Sequence, residues 1–149
     1  MPPTGPADLP RPVKPSHWHK KAYLAKRALT LALYRPTRRG YITPGYVDIF
    51  EGLAGVLIRP DWFDDAAFDI PPVLWTVDDV WLSGSLMRRG FRIRTTDEPH
   101  RASVLKGPHK THPLFMYSTE GHGRHEANVR CIEYFQKTYG IWLPRDQAA

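Results

Sequence analysis

The sequence predicts a small α/β fold in which a few strands pack with helices, and three segments carry that prediction. Leu53 to Ile58 is a continuous apolar run bounded by Gly52 and Pro60, which is the pattern of a short buried strand. Residues 76–90 have apolar side chains at helical spacing, and residues 91–95 alternate apolar and polar side chains like a half-buried strand. Strand, helix and strand are therefore expected to form one βαβ-like unit.

Two adjacent carboxylates, Asp78 and Asp79, stand at the start of the predicted helix, which Gly90 is expected to end. Negative charge at a helix start is stabilised by the helix dipole, and Thr76 and Asp79 have the spacing of a capping box. Alternatively, one carboxylate faces a cleft and acts as a general base that takes a proton from an attacking hydroxyl. The residues alone leave both interpretations open.

Composition indicates a globular chain with many loops. The chain has 149 residues, of which 42% are hydrophobic, 24% are charged and 15 are proline. A net charge of +6 favours anionic partners, namely nucleic acid, an anionic membrane face or phosphate-bearing substrates, and does not choose among them. The single cysteine, Cys131, excludes an intramolecular disulfide and is predicted to be a small buried side chain in a reducing compartment.

The N-terminal segment, residues 1–15, contains six prolines and is predicted to be a disordered or extended lead-in to one α/β domain spanning residues 16–149. It lacks the apolar run of a secretory signal, and no segment reaches the roughly 18–20 apolar residues of a membrane span. The chain is therefore expected in the cytoplasm, with the inner face of the membrane as an alternative location.

Two further helices are predicted. One begins after Ser16 and runs to about Tyr34, with a cationic side toward water and an apolar side toward other surface. Such a helix can lie on an anionic membrane or be an ordinary solvated helix. The other runs from Arg124 to Tyr139 and ends at Gly140; its expected packing residues are Val129, Ile132, Phe135 and Tyr139, with Trp142 packing back. A short strand is predicted at residues 41–43.

Two stretches of this chain resemble the acceptor-side half of GT-A type, family 2-like glycosyltransferases from bacterial polysaccharide and lipopolysaccharide pathways. They are EGLAGVLIRPDWF at residues 51–63 and DDVWLSGSLMRRG at residues 78–90, and residues 128–142 match more loosely. In that family a glycine-containing strand lines the sugar and acceptor pocket, and a following acidic pair supplies the catalytic base. The resemblance implies a partial GT-A-like, Rossmann-like layer of few strands packed with helices.

The resemblance also implies roles for individual residues. The acidic pair would supply the base, and Asp79 is favoured because Asp78 lies closer to a capping position. The substrate-binding residues that it implies are Glu51, Gly52, Gly55, Arg59 and Trp81. The donor would be a nucleotide sugar and the acceptor a saccharide or a lipid-linked molecule, with peripheral membrane contact as an option; nucleic acid is not an expected partner.

One part of the family pattern is missing. No nucleotide-binding half and no Asp-x-Asp motif at a strand end precede Glu51, so the chain is expected to be the C-terminal portion of such an enzyme, and its activity alone stays open.

The family resemblance implies a divalent ion, Mn²⁺ or Mg²⁺. Five of the seven histidines lie between His100 and His125, and the candidate metal ligands are His109, His112 and His122.

Two alternatives to a glycosyltransferase stay open. The basic charge suits a non-catalytic binding module for nucleic acid or an anionic membrane. The histidine pairs suit a metal-dependent hydrolase, although no cysteine lies near them and no HExxH motif is present.

Overall fold

The computed structural model describes residues 9–30, 40–52, 55–97 and 117–144. Two compact units divide the chain: Met1–Val47 with Arg94–Ser103, and Asp48–Ile93 with Val104–Ala149. Helices and two small two-stranded sheets occur together, which confirms the mixed α/β class at this level. None of the described helices has the length and apolar content that crossing a bilayer requires.

The first unit contains helix α1 (His17–Leu29), strand β1 (Gly45–Val47) and most of strand β2 (Ile93–Thr95), and the two strands pair in one sheet. The strand expected at residues 41–43 is therefore placed wrongly, whereas the one within residues 91–95 is confirmed.

Part of the proline-rich lead-in is extended and hydrogen-bonded. The Ile42 amide donates to the Val13 carbonyl at 2.8 Å, and the Tyr46 amide donates to the Pro10 carbonyl at 2.9 Å. Gly45 permits this close approach, since a Cβ there would come within 2.7 Å of the Pro12 ring. Residues 10–13 thus lie along residues 42–46, and the main-chain groups that a strand at 41–43 would need are partly committed to them.

Helix α1 begins after Ser16 as predicted, but it contains no buried residue. The Ser16 hydroxyl lies 2.7 Å from His19 Nδ1 and does not cap the helix backbone. Trp18 is 76% exposed and Leu29 is 86% exposed, so the expectation that this side packs on other surface is wrong for the described part of the helix. The predicted continuation to Tyr34 lies outside the described residues.

The second unit is built around two helices, α2 (Asp78–Arg88) and α3 (Arg124–Tyr139). Short 3-10 helices at Pro60–Trp62, Asp65–Ala67 and Pro72–Val77 precede α2 in the described part of the chain. An antiparallel hairpin of β3 (Ser118–Thr119) and β4 (His122–Gly123) leads directly into α3. The hairpin therefore sets where the first turn of α3 begins.

The buried strand predicted from the apolar run at residues 53–58 is wrong. Residues 55–59 have no regular secondary structure, and the Leu57 side chain is 93% exposed. Gly55 adopts a φ of 94°, and its amide donates to the Gly52 carbonyl at 3.0 Å, so the chain turns where a strand would have to stay extended. Consequently the βαβ-like unit is absent from the described residues, and β2 pairs with β1.

The two predicted helices of the second unit are confirmed at both ends. Gly90 follows α2 with a φ of 82°, and Gly140 follows α3 with a φ of 65°, the left-handed conformation that ends helices at glycine. The capping box, in contrast, is wrong: Val77 is the residue before α2, no side chain caps the helix, and the Thr76 side chain is 3% exposed with no hydrogen-bond partner in the described part.

The core lies between α2, α3 and the 3-10 helix that precedes α2. Its buried residues are Leu74, Val77, Val80, Trp81, Ala127, Cys131 and Phe135. Cys131 is buried as predicted, and of the four packing residues expected on α3, Phe135 lies in the core and Ile132 packs against it. Val129 and Tyr139 are 42% and 40% exposed, so the packing face of α3 is only partly the expected one. The Trp142 indole packs back as predicted, with its Nε1 2.9 Å from Met87 Sδ.

Candidate functional site

Asp79 lies in the first turn of α2 and faces Arg124 in the first turn of α3. The Arg124 guanidinium is 3.7 Å from Asp79 Oδ2, and the Asp79 side chain is 22% exposed, whereas Asp78 beside it is exposed. Asp79 Oδ1 accepts a hydrogen bond from the Val80 amide at 3.0 Å. The carboxylate is therefore held in place but still reachable from solvent.

Burial raises the pKa of Asp79 above the ordinary value of 3.8. The Arg124 charge and the Val80 amide lower this pKa, and the Asp78 charge raises it, but burial is the largest effect. A carboxylate with a raised pKa is a better proton acceptor than an exposed aspartate once the pH lies above that pKa. Asp79 is thus partly buried and has a raised pKa, whereas Asp78 is exposed.

A buried hydrogen-bonded bridge links the main chain at Asp79 to the main chain at Phe50. The Phe50 amide donates to Ser83 Oγ at 3.1 Å, and Ser83 Oγ donates to the Asp79 carbonyl at 2.6 Å. Ser83 is fully buried, so this bridge is shielded from water. Glu51 and Gly52 therefore directly follow Phe50, the residue that is hydrogen-bonded to α2.

Two buried polar atoms lie on the elements that carry this site. Thr76 Oγ1, just before α2, and Asn128 Oδ1, one turn after Arg124 on α3, have no hydrogen-bond partner in the described part of the chain. An unpaired buried polar atom typically costs about 1–3 kcal/mol. Both are candidates for contact with a water molecule or a ligand.

The Cys131 thiol belongs to the same region of α3 but is not a nucleophile. Burial and the Asp79 charge raise the pKa of Cys131 to about 12. The thiol therefore stays protonated at neutral pH, and it behaves as a small core side chain.

The predicted substrate-binding residues are found in two different environments. Glu51, Gly52, Gly55 and Arg59 are exposed, and no atom lies within 4 Å of where a Cβ on either glycine would be. The described protein atoms therefore leave the space beside both glycines open. Trp81 is different.

Trp81 is 4% exposed and packs in the core. Its Nε1 donates to the Ala67 carbonyl at 2.8 Å, and its ring centroid is 5.3 Å from that of Phe135. A side chain so enclosed supports α2 from behind and does not reach a substrate at Asp79. The structure gives Trp81 a packing role, and its substrate contact stays a prediction.

One of the three predicted histidine ligands, His122, lies in the described part of the chain. His109 and His112 lie outside the described residues, and His122 Nδ1 is 2.8 Å from the Glu126 carboxylate. Hydrogen bonding to His122, aided by Arg130, lowers the pKa of Glu126. Across residues 9–30, 40–52, 55–97 and 117–144, no three His, Cys, Asp or Glu side chains are grouped to hold a metal ion.

A cavity of about 200 Å³ lies between α2 and α3, but away from the acidic pair. Its lining includes Asp69, Trp81, Ser85, Arg88, Tyr134 and Tyr139, and Asp79 is not part of it. Ligand pockets usually have volumes of roughly 300–1,000 Å³, so this cavity is too small for a nucleotide sugar. The surface at Asp79 is the better candidate for chemistry.

Sequence reasoning identified Asp79 but missed its partner, Arg124. One signal was present, because a cation in the first turn of a helix opposes the helix dipole, and an anionic neighbour offsets that cost. Ser83 gave no signal, since a serine inside a helix is ordinary, and its bridging role depends on where Phe50 lies.

The raised pKa of Asp79 predicts a pH-dependent effect of Asp79→Asn on stability. A carboxyl whose pKa is higher in the folded than in the unfolded chain loses stability as the pH rises from 3.8 through the folded-state pKa. Asparagine does not titrate, so the unfolding free energy of the variant minus that of the wild type should become more positive over this window. Urea unfolding below pH 3.8 and at neutral pH measures this difference. A fall with pH would mean that Arg124 outweighs burial.

Comparison of the chain with protein-family models, with curated proteins and with solved structures found no match. The pair formed by Asp79 and Arg124 therefore defines the candidate site.

Proposed function

We propose that this chain is the acceptor-side portion of a GT-A type glycosyltransferase, in which Asp79 acts as the general base. The observation that carries the proposal is the Asp79 carboxylate itself: partly buried, raised in pKa, held opposite Arg124 and still 22% exposed. The motif order supports the same proposal, since the acidic pair stands at a helix start after a glycine-containing segment.

The proposed reaction is the transfer of a sugar from a nucleotide sugar to an acceptor hydroxyl. Asp79 accepts the proton of the hydroxyl, and the acceptor oxygen forms a bond to the anomeric carbon. The bond from that carbon to the diphosphate oxygen breaks, and its electron pair leaves with the nucleoside diphosphate. Asp79 then returns its proton to solvent, which its partial exposure permits.

Arg124 holds the carboxylate ready for this step. Its positive charge lowers the pKa of Asp79 and so opposes the effect of burial, which favours the ionised form that accepts a proton. The 3.7 Å separation is longer than a hydrogen bond, so Asp79 Oδ2 stays available to accept from a substrate hydroxyl, while Oδ1 accepts from the Val80 amide. Arg124 is thus a positioning residue for Asp79.

A divalent ion is the cofactor that the family resemblance implies, and Mn²⁺ or Mg²⁺ would balance the charge of the leaving diphosphate. The described residues do not fit this role, since they offer no group of three suitable ligands.

Calorimetric titration with UDP and GDP, each with and without Mn²⁺, tests the proposal directly. Catalysis by this chain alone requires one of the two nucleotides to bind, with a dissociation constant of roughly 1 μM to 1 mM, the usual range of enzyme KM values. ADP with Mn²⁺ is the control for unspecific attraction of a diphosphate to a chain of net charge +6. Absence of binding by the cooperatively folded chain would contradict catalysis by this chain alone.

A further inference from the structure

Helix α1 carries an apolar stripe that no part of the described structure covers. At 3.6 residues per turn, Trp18, Ala22, Ala25 and Leu29 fall within an arc of about 60°. All four are exposed, Trp18 at 76% and Leu29 at 86%, and the helix has no buried residue. A tryptophan and a leucine so exposed on one face of a helix indicate a surface that meets an apolar or interfacial partner.

The same helix is strongly cationic. Its 13 residues contain four basic side chains, Lys20, Lys21, Lys26 and Arg27, and no acidic one. Lys21 and Lys26 lie on either side of the apolar stripe, and the Lys21 ammonium is 5.3 Å from the centroid of the Trp18 ring. Cations therefore border the stripe where it would meet a negatively charged surface.

We infer that α1 binds an anionic membrane surface. The helix lies in the plane of the interface, with Trp18 and Leu29 among the lipid head groups and upper acyl chains, and with Lys21 and Lys26 beside lipid phosphates. Tryptophan is favoured at this depth because its ring is apolar and its N–H still needs a polar partner. This inference does not depend on the proposed glycosyltransferase activity.

Nucleic acid is the other anionic partner that the charge would suit, but the stripe argues against it. Phosphate contacts need only the cations, and they leave an exposed tryptophan and leucine in water. Burial of those two side chains is favourable at a lipid interface. The combination of a cationic border with an apolar centre fits a membrane surface.

The test is flotation of the full chain with vesicles of phosphatidylcholine alone and with vesicles of phosphatidylcholine and phosphatidylglycerol in equal parts. We expect binding to the anionic vesicles only. Trp18→Ala combined with Leu29→Ala should lower the partition coefficient at least tenfold. Lys21→Gln combined with Lys26→Gln should lower it roughly thirtyfold, since each cation near the surface contributes about 1 kcal/mol.

Leu24→Ala is the matched control. Leu24 is 59% exposed but lies on the opposite side of α1 from the stripe, so its truncation should change the partition coefficient less than twofold. Circular dichroism should show all variants folded, because α1 contributes no residue to a buried core. Equal binding to neutral vesicles, no binding to anionic vesicles, or full binding without Trp18 and Leu29 would each overturn the inference. The inference would also be overturned if the Trp18→Ala variant still bound duplex DNA and if that DNA competed with vesicles for the chain.

Discussion

Replacement of Asp79 by asparagine is expected to lower the rate of sugar transfer by about 10² to 10⁴, the usual contribution of a general base. Asparagine has nearly the same shape but does not accept the acceptor's proton, so substrates still bind while the proton transfer is lost. Release of nucleoside diphosphate in the presence of donor and acceptor measures the rate. Calorimetry on the variant should show unchanged nucleotide binding.

Two comparison variants make this prediction specific. Asp65→Asn removes the same charge from an exposed position outside the site and should leave the rate within about twofold. Arg124→Gln removes the charge that lowers the pKa of Asp79, so the acidic limb of the rate profile should move to higher pH. Normal turnover by Asp79→Asn would remove the main support for the proposed function, and a loss confined to Asp78→Asn would assign the base to that residue.

Replacement of Phe135 by alanine is expected to lower the unfolding free energy by about 3–5 kcal/mol. Phe135 is 1% exposed, and its ring centroid lies 5.3 Å from that of Trp81 and 5.5 Å from that of Trp142. Since domains are typically stable by only about 5–15 kcal/mol, this single change removes a large fraction of the total. Urea unfolding measures this loss of unfolding free energy. The dependence of the free energy on urea concentration should have the same slope in the variant as in the wild type.

Gly84 provides the control for this packing, because α2 passes close to the Phe135 ring there. A Cβ at Gly84 would lie 2.6 Å from Phe135 Cδ2 and Cζ, so Gly84→Ala should cost about 1–3 kcal/mol of overpacking strain. In the Phe135→Ala background the ring is gone, and the same substitution should stabilise α2 by up to about 1 kcal/mol through helix propensity. Equal effects in both backgrounds would contradict the packing described here.

The candidate site was only partly predictable from the sequence. Asp79 was favoured over Asp78 on the ground that Asp78 stands closer to a cap, yet neither side chain caps the helix. The environments differ for another reason: α3 covers Asp79 and leaves Asp78 exposed. Pairing with Arg124 depends on how two helices far apart in the chain pack together, which local pattern does not encode.

By itself the sequence determined where α2 and α3 begin and end. Their apolar spacing and the glycines that follow them, Gly90 and Gly140, act over three or four residues, so the outcome depends on local backbone energetics alone. The burial of Cys131 followed from the same spacing. These features could be predicted because their causes lie within one or two helical turns.

The tertiary structure alone decided which apolar segments are covered and which strands pair. The run at residues 53–58 and the stripe of α1 are both apolar, yet Leu57 and Leu29 are exposed, and β2 pairs with β1 instead of with that run. Apolar composition measures how much free energy burial would release, but not whether a partner surface is present. Strand pairing likewise depends on contacts between distant segments, and those are fixed only when the whole chain packs.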